Sequence, residues 1–323
     1  MTLIQAADVL PDGYTIRAPE PDDAEGIFDL ISAYNTAVAG VADCTLNSVA
    51  DHLVEPGFDR KTDGFLVLAA DGLPVGYSTA FAKGDPKAIE IEVASRQPKI
   101  AAWLFDRTLR RAQEMGRDGG HAEITVDICV FRADESLRTL LADHDFTTGT
   151  TYHQMRIDQT GPVATPETPA GVTVRRGAYD DATRRTAHDI VIECFSGQYN
   201  FNPRPHDEWI AYFEASSTFD WSQFTLLEVD GQPVAVRICN DGFIETDNCG
   251  YVGTLVVLEE FRGRGLAKFL LRDAFARDAA DGRAGTILHV DTNNPTPALG
   301  LYLSVGMTAT LVFDGWRSVI PVT

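Results

Sequence analysis

Apolar and polar positions along the chain alternate between a period of two and a period near 3.6, and the order of those periods occurs twice. "GYTIRAPEPDDA" from Gly13 and "GVTVRRGAYDDA" from Gly171 each read as an alternating strand followed by a polar cap entering a helix. "LVLAADGLPVGYSTA" from Leu66 and "TLLEVDGQPVAVRIC" from Thr225 each read as two strands around an Asp-Gly turn, the strongest short hairpin signal. Both pairs are offset by about 159 residues. "ITVDICV" from Ile124 then matches "LHVDTNN" from Leu288, and "LRTLLADHDF" from Leu137 matches "ALGLYLSVGM" from Ala298.

Each half therefore predicts a strand, one or two helices, a hairpin, a further strand, a long helix, a strand, a helix and closing strands. That is an α/β (α+β) unit, a twisted mixed sheet flanked by helices. Between the halves lies "QTGPVATPETPAG", whose prolines and lack of apolar periodicity mark a linker. The expected division is a first domain over 1–160, a linker over 161–170 and a second domain over 171–323, with the boundary near Thr165.

The second half holds the chemistry-bearing motif. "YVGTLVV", Tyr251 to Val257, is a strand candidate, Arg262-Gly263-Arg264-Gly265 follows, and apolar residues at Leu266, Phe269, Leu270, Ala274 and Phe275 trace a helical stripe. Glycines between a strand and a helix let successive N–H groups converge at the positive end of the helix dipole, which makes an anion seat. Glycines at such a turn also have a purely steric use. The spacing fits neither the dinucleotide-binding GxGxxG with its acidic partner nor the GxxxxGK(S/T) phosphate loop.

"RGRGLA", Arg262 to Ala267, resembles the R/Q-x-x-G-x-G/A signature of the GNAT superfamily of acyl-CoA-dependent N-acyltransferases. "NNPTPALGLYLSVGM" resembles that superfamily's second signature, N-x-x-A-x-x-x-Y-x-x-x-G-F, in the expected order. The resemblance implies two tandem GNAT-like domains, an architecture similar to that of mycothiol synthase, with acetyl-CoA as acyl donor. It implies that the amides of Arg264, Gly265, Leu266 and Ala267 hold the CoA diphosphate, with Gly263 and Gly265 permitting close approach beside Arg262. Leu255, Val256 and Val257 at the strand end would bind the pantetheine arm, where this strand splays from its neighbour at Thr286 to Asp291. Asn293 or Asn294 would hydrogen-bond the pantetheine, the motif being one residue longer here than the pattern. Tyr302 would protonate the leaving thiolate, for which a phenol is chemically suited.

In the first half "ASRQP", Ala94 to Pro98, stands where the second has its glycine turn, and Leu141 stands where the second has Tyr302. Pro98 removes an N–H donor. The first half is expected to keep structural or acceptor-binding work only.

The resemblance does not nominate a base, because the position eleven residues before Arg262, often glutamate in the superfamily, is Tyr251. Glu245 and Asp247, immediately before the strand, are the candidates carried forward; Glu228 and His289 are also open, and an amine bound neutral needs only water. Acceptor contacts are expected from 192–210, "IECFSGQYNFNPRPHDEWI", whose aromatic and acidic residues suit a cleft.

Composition narrows this reading. Forty-seven acidic against 27 basic residues, a net charge of −20, argue against nucleic acid and anionic membranes as partners. No apolar run approaches the ~20 residues of a membrane span, which makes a cytoplasmic location the expectation. Five scattered cysteines without a CxxC pair suggest neither a disulfide framework nor a metal site. The expectation is an N-acetyltransferase acting on a primary amine of a small molecule, such as an antibiotic, amino sugar or peptide-like metabolite, as a monomer or homodimer. A catalytically silent acyl-CoA sensor or partner-binding module and a protein N-acetyltransferase are the alternatives.

Overall fold

The computed structural model describes residues 10–82, 84–199, 201–293 and 298–322, which fall into two units: Met1–Thr150 with Phe313–Thr323, and Thr151–Val312. In the first unit, β1 (Thr15–Arg17) leads into α1 (Ala24–Ala39), which ends at Gly40 in the left-handed conformation that a C-terminal cap requires. Helix α2 (Leu46–Leu53) starts at Thr45, whose hydroxyl accepts from the Ser48 N–H. A single turn, α3 (Arg60–Asp63), then enters the hairpin β2 (Gly64–Leu68) and β3 (Pro74–Phe81). β4 (Ala88–Ala94), the long α4 (Pro98–Asp118), β5 (Glu123–Phe131), α5 (Glu135–Asp143) and β6 (Thr147–Asp158) complete the first half of the chain.

The second half repeats the order. It runs β7 (Val172–Arg176), α6 (Asp181–Phe195), α7 (His206–Ala215), β8 (Phe224–Val229), β9 (Gln232–Asn240), the short α8 (Ile244–Asp247), β10 (Cys249–Val257), α9 (Leu266–Ala280), β11 (Gly285–Asp291), α10 (Ala298–Ser304) and β12 (Thr308–Pro321). The Asp-Gly turn between β8 and β9 has positive φ at both Asp230 (51°) and Gly231 (79°), the conformation of a two-residue primed turn. Its counterpart uses positive φ at Gly72 alone, and both hairpins carry a register shift, at Val67/Leu68 and at Leu227/Glu228.

The units do not follow the covalent repeats. In the first unit the strand order is β1-β2-β3-β4-β5-β12, and in the second it is β7-β8-β9-β10-β11-β6. Residues Tyr152 to Asp158 of β6 pair antiparallel with β11, and Phe313 to Pro321 of β12 pair antiparallel with β5. Each half thus gives the strand that closes its sheet to the other unit, and the division 1–160 and 171–323 differs from the units at both ends. The physical reason is that a strand's alternation records which face is buried but not which edge it joins. Residues 159–171 form no helix or strand, as the linker composition implies.

Helices pack on both faces of each sheet. In the second unit Leu226, Val236, Ile238 and Val256 meet α6 and α7 through Ile190, Val191 and Trp209. On the other face Leu227, Ala235 and Val257 meet Leu266, Phe269 and Leu270 of α9. In the first unit α4 buries Ile100, Leu104, Phe105 and Ala112 against Val67, Ala80, Ile91 and Val126.

Candidate active site

The second unit contains a fork between two parallel strands. β10 and β11 pair only from Cys249↔Gly285 to Val252↔Leu288, although β10 continues to Val257 and β11 to Asp291. Each remains bonded to its outer neighbour, β10 to β9 as far as Val257↔Ala235 and β11 to β6 as far as Asp291↔Tyr152. The inner edges therefore part while the outer edges hold, which leaves backbone groups of β10 beyond Val252 without a strand partner on that side among the described residues. A bulge in the β9–β10 ladder between Val252 and Thr254 reverses the side-chain parity. As a result Val252, Leu255 and Val257 all face α9, whereas Val256 packs with α6. The first unit has a fork too, since β4 and β5 pair only from Ala88↔Thr125 to Glu90↔Asp127. The fork belongs to the fold, and chemistry must come from what is placed around it.

At the end of β10 the chain makes the glycine turn. Gly263 (φ 75°) and Gly265 (φ 79°) are left-handed, and a Cβ at either would meet nothing within 4 Å. Glycine is needed there for backbone conformation and not for lack of space. Gly265 is the N-cap of α9, brings no side chain to cap it, and sits in the exposed segment Arg262 to Gly265. The first-turn amides of a helix have no partner within it, so these N–H groups and the helix dipole suit an anion. Both arginines fold back onto the turn: Arg262 Nε donates to the Val257 carbonyl at 3.1 Å, and Arg264 donates to the Glu260 carbonyl and lies 4.8 Å from the Phe261 ring centroid. The donors offered are mainly backbone amides.

The matching junction in the first unit lacks this design. Pro98 is the first residue of α4, and the Gln97 N–H is already taken by Ser95 Oγ at 3.2 Å. Beside it lies a cavity of about 430 Å³ lined by Val93, Ser95, Pro98, Ala101, Leu137 and Leu140.

Tyr302 on α10 is buried against Val252, Leu271, Phe275, Leu288 and Met307, on the α9 face of the fork. Burial pushes its phenol up to about 12. The Asn293 N–H donates to Asp291 Oδ1 at 2.8 Å, at the end of β11; Asn294 lies outside the described residues.

The carboxylates expected to act as base are not brought to the fork. Glu245 is exposed on α8, and Asp247 is bound to Arg156 at 2.7 Å and to the Thr246 hydroxyl at 2.8 Å. Both precede the paired end of β10, which separates Cys249 from the parting at Gly253 by four residues, about 13 Å of strand. Glu228 is bound to Arg175 at 2.8 Å. The structure instead joins Tyr251 and His289, whose phenol oxygen and Nδ1 lie 3.1 Å apart. Burial moves the imidazole down to about 4, so it is neutral near pH 7. Counting back from Arg262 reaches Tyr251, but nothing in the sequence joins it to a histidine 38 residues away.

This arrangement, a mixed sheet with a parallel fork and an uncapped amide turn, defines the GNAT class of fold. Residues 185–307 match the family model described as Acetyltransferase (GNAT) family. A comparison with curated protein sequences finds no significant match. Among solved structures, a GCN5-related N-acetyltransferase from Sphaerobacter thermophilus superposes with a TM-score of 0.80 at 24% identity, covering 97% of this chain and 98% of that one. A tandem GNAT protein from the clavulanic acid biosynthesis pathway gives 0.70 at 13% identity, covering 95% and 98%. N-myristoyltransferase from Saccharomyces cerevisiae, solved with bound myristoyl-CoA, gives 0.63 at 11% identity, covering 98% and 81%. The second unit is therefore an acetyltransferase domain of the GNAT family, and the whole chain is a tandem GNAT-fold protein.

Proposed function

We propose that the protein is an acetyl-CoA-dependent N-acetyltransferase that modifies a primary amine of a small molecule by direct attack on the thioester, with the second unit as its catalytic half. The observation that carries this reading is the conjunction, found among the described residues in the second unit alone, of a fork with an exposed, uncapped turn of amides at its open end. The amides of Arg264 to Ala267 take the diphosphate, the unpaired edge of β10 takes the pantetheine in β-like fashion with Asn293 nearby, and the thioester lies between the parted strands. A strand N–H beyond Val252 meets the developing oxyanion. Tyr302 donates its proton to the departing sulfur; its raised pKa keeps it protonated until then. The acidic surface favours a cationic acceptor over nucleic acid.

Incubating the full chain with acetyl-CoA and a panel of amines, with detection of free thiol, tests this reading. Amine-dependent thiol release supports it. Tight acetyl-CoA binding with no release on any amine, peptides included, would leave an acyl-CoA sensor as the function.

A further inference from the structure

The base is the gap in this mechanism, and the apex of the fork offers an arrangement that fills it. Tyr251 is in the last-but-one residue pair of the β10–β11 ladder, opposite Ile287, and His289 is the first residue of β11 beyond the ladder. Because side chains alternate along strands, Tyr251, Ile287 and His289 share the face opposite to that of Val252 and Leu288, which pack under α9 with Tyr302. A donor to the leaving sulfur and a proton acceptor for the amine would thus stand on opposite faces of one fork. Phe243 packs against both rings, its centroid 5.1 Å from that of Tyr251 and 6.1 Å from that of His289. Two acidic groups near this end of the sheet are engaged elsewhere: Asp247 by Arg156, and Asp241 by Arg283 and Gln223.

We propose that Tyr251 and His289 relay the amine proton, which moves to the Tyr251 oxygen as the phenol proton moves to His289 Nδ1. This inference rests on the acetyltransferase reading. In the step, an N–H bond of the attacking nitrogen and the phenol O–H bond break, a new O–H and an Nδ1–H bond form, and the positive charge passes from nitrogen to imidazolium. When product leaves, Nδ1 returns its proton to the phenol oxygen, which releases one to entering water. Burial that keeps the imidazole neutral between cycles also makes the imidazolium short-lived, so the pair resets. Tyr251 is the catalytic residue here and His289 a positioning and relay residue acting through it.

The test uses the full chain, acetyl-CoA and whichever panel amine gives the fastest wild-type thiol release, comparing Tyr251→Phe, His289→Asn and the double variant. Asparagine keeps an acceptor oxygen close to the place of Nδ1 but cannot take a proton, so it separates relay from mere support of the phenol. The relay predicts that each single change lowers kcat by about 100-fold, the lower end for general acid–base groups. Acetyl-CoA affinity measured by calorimetry stays within twofold, and the double variant is no worse than the poorer single one. His289→Asn turnover within threefold of wild type, or losses that multiply in the double variant, would overturn the relay while leaving the acetyltransferase reading intact. A wild-type chain that binds acetyl-CoA and releases thiol to no amine would overturn that reading and the relay with it.

Discussion

Arg262 donates from Nε to the carbonyl oxygen of Val257 at 3.1 Å, so the residue that opens the glycine turn also clips the end of the strand before it. The clip fixes the amide turn relative to the fork. Truncation to alanine removes one charge-assisted hydrogen bond and the organisation it gives. Arg262→Ala is expected to weaken acetyl-CoA binding about fivefold to tenfold, the equivalent of ~1 kcal/mol, with little change in melting temperature. Unchanged affinity by calorimetry would show that the turn holds its shape without the clip.

Gly265 has φ 79° and open space around it, so any substitution is opposed by backbone conformation alone. A β-branched residue suffers most from this, at roughly 2 kcal/mol. Gly265→Val should either cost the helix start that much stability or force the turn out of its left-handed form, and in both cases acetyl-CoA affinity falls more than tenfold. Gly161→Ala, in the linker with ordinary φ and equal space, is the matched control and should change neither.

Beneath the second sheet the Asp273 carboxylate accepts from both Arg237 at 2.9 Å and Arg176, and Arg237 is 1% exposed. Burial works to raise this carboxyl, but Arg176 and Arg237 together hold it below the usual carboxylate range. Asp273→Ala strands a buried guanidinium and is expected to cost about 3–5 kcal/mol in denaturant unfolding. Replacing Asp273 with leucine and Arg237 with methionine together should cost less than Asp273→Ala alone, because no charge is left behind.

Tyr302→Phe deletes only the hydroxyl. Turnover should fall by about 10²-fold while acetyl-CoA affinity and melting temperature hold. An acid acts in its protonated form, which persists at every pH below its pKa, and this phenol lies at about 12. Wild-type kcat is therefore expected to show no alkaline loss from Tyr302 between pH 7 and pH 10.

His289 titrates at about 4 in the fold against 6.5 for an ordinary histidine. Between those values the unfolded chain binds the extra proton, so stability rises with pH across this window and is lost as pH falls from about 6.5 to 4. The full effect is up to about 3 kcal/mol, less the solvent screening that partial exposure allows. Urea unfolding of wild type and His289→Asn at pH 7 and pH 4.5 measures it: the wild type should lose more stability than the variant over that interval.

Several features were legible because they are local. Asp-Gly between alternating runs gave both hairpins, and a glycine turn between Val257 and Leu266 gave the junction of β10 and α9 with its left-handed residues. The two offset halves gave the repeated order of elements. Such signals need only neighbouring residues, whose sterics and periodicity act within a few positions of one another. Glu245 and Asp247 show where this reasoning fails: their position before a strand was visible, but the partner of Asp247, Arg156, is 91 residues away.

The sequence by itself determined the repeat, the kind of unit, and which half carries the glycine turn at the start of its long helix, since Pro98 and the lost glycines are covalent facts. Tertiary structure alone decided that β6 closes the second sheet and the end of β12 the first, that β10 and β11 part after Val252, and that Tyr251 meets His289. Those outcomes depend on backbone edges and side chains meeting across long stretches of chain. The pattern along one strand specifies which face is buried but is silent about the neighbour, and hydrogen bonding between distant edges makes that choice.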